Sequence, residues 1–354
     1  MNGVSSATDF GTLNTVLYNA GLAARSLNTL TAQASSGLLS SQYDGLGGGA
    51  RTALDLSGQL ALNAGSQANA AQAANVNQVT QTALGQIQGL VAGMTSQLLE
   101  PSVQTDSGLS TLAASARTML IQVAGLLDTK VGQIYVFAGK DSRSPPIPDP
   151  ASMSSSAFST AIQAAVAGLT VAGAATVQSQ LLTAAAPGAT SPFSATLEAS
   201  NQLASADLGS GQTVQLGVLA DQNTDAVSAG IGLTSTGSYM RDTLMALSTI
   251  GSLGTANATD PQVQALLGMV HTTLGGADDA VNVDIGGLGA RQKTTTDMQT
   301  ELSDTAAALT TQLGAVQDAD PAQVATALSA VQIQIQASYK IIASLEQLSL
   351  AKFI

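Results

Sequence analysis

Few residues in this chain have the type and spacing to do chemistry. His271 is the only histidine, and there is no cysteine. A metal site at His271 would need carboxylates to complete it, and the nearest, Asp278 and Asp279, follow seven and eight residues on. His271 therefore reads as a plain helix residue, and Asp278, Asp279 and Asp284 as a solvated acidic face. Gly45-Leu46-Gly47-Gly48-Gly49-Ala50 matches the G-x-G-x-x-A pattern that cradles a dinucleotide. No strand is expected before it, and no acidic residue follows at the required distance, so it reads as a flexible joint. The nucleophile elbow G-x-S-x-G does not occur, and thiolate chemistry is excluded. No catalytic, cofactor-binding or metal-ligating residue is assigned, and no cofactor is expected.

The rest of the composition points the same way. Aromatic residues make up 3% of the chain and tryptophan is absent, a mix that favours long helices over a compact enzyme core. At 354 residues, two or more domains are expected. The net charge of −12 is unevenly spread. Residues 1–43 hold only Asp9 and Arg25, and residues 321–354 only Lys340, Glu346 and Lys352. Nearly neutral ends can be buried in an assembly at little desolvation cost, while an acidic middle suits water. Nucleic-acid binding needs clustered Lys and Arg, so it is not expected. The first basic residue is Arg25 and no compact apolar core follows it, so no cleaved secretory signal is read. Residues 56–99 are uncharged, but Gln, Asn, Ser and Thr recur too often for membrane insertion.

The strongest patterns lie at the two termini. Phe10, Leu13, Leu17, Ala20, Ala24, Leu27, Thr31, Ala34 and Leu38 follow alternating steps of three and four. The same alternation runs through Leu302, Ala306, Leu309, Leu313 and Val316. It resumes in Val324, Leu328, Val331, Ile335, Ile342 and Leu345, with Ser338 out of place. Such stepping keeps a narrow apolar seam on one side of a helix, ready for a partner helix. Asp320 and Pro321 supply a cap and a first-turn proline between the last two segments. Burying one Val, Leu or Ile stabilises by about 1.5–3 kcal/mol, whereas ordering costs about 1 kcal/mol per residue. Six seam residues cannot hold thirty-odd residues helical, so this last helix needs a neighbour.

Between the termini, a long helix is expected over about Ala53 to Leu99 and a second over about Gly108 to Lys130. If unbroken, the first is a rod of about 70 Å. Ile134 to Gly139 reads as a short strand with a turn, and Pro145, Pro146, Pro148 and Pro150 mark a boundary. Residues 151–255 mostly lack a helical seam; Val214, Leu216 and Val218 alternate as a half-buried strand would, and Tyr239 to Ile250 reads as a short helix. From Pro261 the chain is helical again, with Gly286-Gly287-Leu288-Gly289 offering a point of interruption. The expected architecture is mainly α, with long antiparallel helical rods formed from both chain ends and an inserted α+β or β-rich outer domain. The segments are an assembly helix over 1–43, the first half of a rod over 44–144, the insertion over 145–257, the second half of the rod over 258–318, and a second assembly helix over 319–354.

Several stretches, taken in order, resemble the flagellin superfamily of bacterial axial proteins. Ser35-Ser36-Gly37-Leu38 is similar to its amino-terminal SSG motif, and Ala83-Leu84-Gly85-Gln86-Ile87 to a stretch of its long helix. Leu288-Gly289-Ala290-Arg291-Gln292 resembles the opening of its carboxy-terminal rod. Asp318-Ala319-Asp320 is similar to the break before its last helix. Gln332 to Ala337 and Leu345 to Leu350 also fit. Ile134-Tyr135-Val136-Phe137-Ala138-Gly139 followed by Pro145-Pro146 looks more like the members that join hook to filament. The resemblance covers roughly 20–145 and 207–354.

What it implies is a non-enzymatic subunit, exported unfolded through the flagellar type III channel and assembled outside the cell between hook and filament. Its partners would be copies of itself, the hook-side junction protein and flagellin, with a cytoplasmic export chaperone covering the carboxy-terminal seam beforehand. The alternative within the superfamily is the main filament subunit. An alternative of another class is a secreted enzyme or adhesin on a helical stalk, with its site in 151–255; that block holds no His and few carboxylates.

Overall fold

The computed structural model describes residues 4–200, 202–227 and 234–351, with side chains described over 14–344 apart from the same gaps. The fold is mainly α, with long helices at both ends and only small sheets. Two compact units are present, one formed by residues 1–64 with 303–354 and the other by 65–302.

In the terminal unit, helix α1 spans Val4–Ser36. It stops for a local reason. Gly37 takes a positive φ of 72° and its amide bonds back to the Gln33 carbonyl at 2.8 Å, while Ser36 Oγ accepts from the Leu38 amide at 3.2 Å. The chain then pairs with its own distant end. The Leu39 amide donates to Gln317 O at 2.7 Å and the Ala319 amide to Gly37 O at 2.8 Å, an antiparallel bridge centred on Leu38 and Asp318. The glycine-rich stretch Tyr43–Gly49 is a short 3-10 turn leading into α2, Ala50–Leu98. Gly49 lacks a Cβ where the Val316 side chain closes on it.

In the middle unit, α2 buries Val76, Leu84, Ile87, Val91 and Met94. Helix α3, Asp106–Leu127, is capped by the Thr105 hydroxyl, which accepts from the Gly108 amide at 3.1 Å. Among the described residues it is the one helix long and apolar enough to cross a membrane, but its face Leu109, Leu112, Ala116, Leu120 and Val123 is buried in the core. Strands β1, Lys130–Val131, and β2, Ile134–Tyr135, make a small antiparallel pair. The expected strand is thus cut to two residues. Beyond it the chain turns, the Ala138 amide donating to the Tyr135 carbonyl at 3.4 Å, while the Val136 and Phe137 carbonyls accept from the Val218 and Ala220 amides at 3.4 and 3.0 Å.

Short helices follow, with α4 over Ala157–Ala167, α5 over Leu169–Ala172, α6 over Ala174–Ala185 and α7 over Ala195–Ala199. The antiparallel hairpin of β3, Ala204–Gly209, and β4, Gln212–Leu216, packs Leu208 and Val214 against Ala70, Ala73 and Leu302. The buried Asn77 side chain holds it at one end, donating to Gln215 O and accepting from the Gly217 amide. Helix α8, Tyr239–Ser252, is buried along nearly its whole length and packs on α3. One apolar core joins these elements to α9, Pro261–Gln317.

Helix α9 is unbroken at Gly286-Gly287-Leu288-Gly289, contrary to expectation. Glycine in a helix costs about 0.5–1 kcal/mol relative to alanine, but here it leaves room: a Cβ on Gly287 would collide with the Asp225 carboxylate, which pairs with Arg291 one turn on. The last helix, α10, spans Pro321–Ala351. Asp320 caps it, its Oδ1 accepting from the Ala322 amide at 2.8 Å.

Asp128 closes the end of α3 and accepts from the Ile147 amide at 3.0 Å, which fixes the proline-rich loop. Burial pushes its carboxyl up to about 6, opposed by that bond and by Lys130. The folded chain thus binds a proton more readily than the unfolded one, so stability falls as pH rises from about 4 to about 6. Asp128→Asn keeps an acceptor without the charge. It should raise the unfolding free energy at pH 7, by on the order of 1 kcal/mol after discounting for solvent, and leave it unchanged near pH 4. Parallel urea titrations at the two pH values check this.

Candidate assembly interface

The terminal helices α1 and α10 pack on each other. Because the Leu38–Asp318 bridge ties the end of α1 to the start of α10, they run antiparallel. The packed side of α10 is Val324, Leu328, Val331, Ile335, Ser338 and Ile342. The serine accommodates itself by donating to the Gln334 carbonyl at 2.9 Å. On α1 the side that loses exposure is Val16, Ala20, Ala23, Leu27 and Leu30. Of the expected amino-terminal seam, Leu27 and Ala20 fall on this side and Leu38 is half-buried at the bridge. Leu17, Ala24 and Thr31 are exposed, and Ala34 is exposed at the mouth of a cleft between the two helices. Phe10, Leu13 and Leu345 lie outside the residues whose side chains are described.

The two helices cover each other only in part. On their packed sides Ala23, Val324 and Ser338 are buried, and the large residues Leu27, Leu328, Val331, Ile335 and Ile342 remain half-buried. Elsewhere large apolar side chains stand in water. Leu17 is 50% exposed, Tyr18 67%, Ile333 67% and Tyr339 65%, with Leu22 and Ile341 also open. Where α1 ends and α10 begins, a mostly apolar cleft of about 300 Å³ opens between Ala34 and Gly37 on one side and Pro321, Val324 and Leu328 on the other. Scattered exposed apolar residues are ordinary, but here they sit on two helices with almost no charge. Such a pair can add neighbours through dispersion and burial without stripping water from ions.

The second stripe of α1 was legible in principle. Positions 16, 20, 23, 27 and 30 also step by three and four, sharing Ala20 and Leu27 with the expected set and shifted by one residue at the others. An alanine-rich helix carries both patterns, and only the partner selects one.

The polar residues behave differently from expectation in one respect. Asp284 is not part of a solvated face: it is fully buried. Its carboxylate accepts from the amides of Thr224 at 3.2 Å, Asp225 at 2.6 Å and Ala226 at 2.8 Å, and from the Tyr239 hydroxyl at 2.7 Å. Burial and Asp284 push that phenol well above its ordinary range, so it stays protonated and donates. Asp279 is exposed and Asp278 half-buried, and His271 is half-buried on the same helix. The four donors to Asp284 come from a loop and a helix dozens of residues away, which no local pattern announces.

Comparison with known proteins agrees with the geometry. Residues 271–354 match the family described as the bacterial flagellin C-terminal helical region. A solved structure described as a flagellar hook-associated protein from Vibrio parahaemolyticus superposes with a TM-score of 0.52, covering 75% of this chain and 96% of that one. At 13% identity this likeness shows a shared fold. No curated protein matches the chain. The family match is thus confined to the carboxy-terminal residues 271–354, and the likeness over the rest of the chain is one of fold.

Proposed function

We propose that the chain is a non-enzymatic structural subunit of the bacterial flagellum that joins hook to filament outside the cell. The observation that carries the reading is the antiparallel pair α1 and α10, nearly uncharged, half-covered by each other and still presenting Leu17, Tyr18, Ile333 and Tyr339 to water. Neighbouring copies, a hook-side junction protein and flagellin would complete the burial. An export chaperone would take the same role for α10 before secretion. Residues 1–43 and 319–354 act as the assembly segments. The sequence Ile134-Tyr135-Val136-Phe137-Ala138-Gly139 before the prolines, a two-residue strand followed by a turn, favours the junction over the filament.

A second reading is the main filament subunit, favoured by the flagellin match over residues 271–354. Immunogold labelling of intact flagella separates the two. Label confined to the base of each filament supports the junction, and label along its whole length supports the filament subunit.

A further inference from the structure

Arg241, on α8, is buried in the middle unit and spends its donors on four separate segments. Nε donates to the Asp221 carbonyl at 3.1 Å, and Nη1 to the Ala185 carbonyl at 3.1 Å and to Ser191 Oγ at 3.0 Å. Nη2 donates to Glu198 Oε1 at 2.8 Å. The Phe193 ring lies 4.9 Å from the guanidinium carbon. One side chain thereby latches the end of α6, the loop after it, α7 and the loop following β4.

The charges in this latch do not balance. Glu198 has the well-formed ion pair and also accepts from the Ser191 hydroxyl. Asp221 faces the same guanidinium only at 3.8 Å, through Oδ2, with its side chain 2% exposed. Its Oδ1 is buried and meets no hydrogen-bond partner. Gln222 reaches Oδ2 at 3.5 Å, a weak contact. The remaining carboxyl nearby is Asp242, next to Arg241 on α8, and it is turned to Thr236 and Ser235. Two carboxylates therefore share one cation in a buried place, and the orphaned oxygen of Asp221 is where the excess charge falls.

We propose that the Arg241 latch holds one proton on Asp221 and that it loosens when this proton leaves for bulk water, making the segment 185–198 a pH-sensitive element of the subunit. With Asp221 neutral, Glu198 and Arg241 form a matched pair and the unpartnered oxygen costs far less. With Asp221 ionised, it competes with Glu198 for the guanidinium from a position that offers no good hydrogen bond. Burial pushes the Asp221 carboxyl up, against the pull of Arg241, its own backbone amide and Gln222, with a smaller push from Glu198. The unfolded chain titrates this group in the ordinary range near 3.8. Between that value and the raised one the folded chain holds the extra proton, so stability falls as pH rises across the interval and levels off above it.

The test is a carbon-13 titration of the aspartate carboxyls in the full-length monomer, with hydrogen exchange followed over 185–198 at each pH. The carboxyl signal absent from Asp221→Asn should titrate above the ordinary carboxylate range. Across the same interval, opening of 185–198, corrected for intrinsic exchange, should rise by up to about tenfold per pH unit. The variant should flatten that rise while leaving the dependence due to Asp242 and Asp128 elsewhere in the chain. If the Asp221 signal titrates at or below the ordinary range, or if opening over 185–198 is as steep in Asp221→Asn as in the parent, the proposal is wrong. Should Asp221→Asn fail to fold, Glu198→Gln carries the test. It frees Arg241 for Asp221 and, with the Asp128 and Asp242 signals assigned from Asp128→Asn and Asp242→Asn, should draw the remaining raised aspartate downward; an unmoved titration overturns the latch.

Discussion

A chain lacking residues 321–354 should keep residues 65–302 folded but join no filaments, and a strain producing only this form should be non-motile. The middle unit closes its core without α10: its large buried side chains, from Leu84 and Met94 to Leu247 and Leu288, come from α2, α3, the short helices, α8 and α9. The terminal unit has no such reserve. Removing α10 takes away Val324, Leu328, Val331, Ile335 and Ile342 and leaves Val16, Ala20, Ala23, Leu27 and Leu30 of α1 facing water. Isolated helices of this composition do not sustain themselves, so α1 should unravel as well. Circular dichroism should then show a loss of helix beyond the deleted segment, with the cooperative transition of the remainder intact. Restored motility on soft agar would contradict the expectation.

The second large effect concerns Asp284. Asp284→Ala should destabilise the middle unit by about 3–5 kcal/mol, a substantial share of the 5–15 kcal/mol that ordinarily holds a domain together. Three backbone amides and the Tyr239 hydroxyl would lose their acceptor at a fully buried site. Asp284→Asn keeps one carbonyl oxygen and should cost less. Urea denaturation of the two variants checks the order. Equal, small losses would mean that water reaches the loop and replaces the carboxylate.

Where the sequence was legible, the reason is physical. The seam of α10 could be read because a single polar residue, Ser338, interrupts a run of Val, Leu and Ile, and that serine satisfies itself on its own helix. The expected amino-terminal helix ran to residue 43 with Leu38 in its seam, whereas Gly37 ends α1 at Ser36 through a local turn. The α1 side was read one residue out of register at several positions, because alanines make two neighbouring stripes almost equally apolar. Gly286 to Gly289 looked like a break because propensity sees only the glycine cost, not the Asp225 side chain that fills the space. Helices α4 to α7 run from 4 to 12 residues, too short to develop a period against a background of Ala, Gly and Ser. The Asp284 and Arg241 clusters were invisible for a different reason. Each gathers groups from distant segments, and only the folded chain brings them together.

The reading of the termini leads to one direct measurement, hydrogen exchange along α1 and α10 in the free monomer and again after assembly. Half-buried contacts between two helices of 33 and 31 residues should give weak protection in the monomer, well below that of α8 in the core, and strong protection once copies have joined. If both helices are already protected in the monomer to the level of α8, with no gain on assembly, then each is stable on its own pairing and the exposed stripe is not what holds neighbours together.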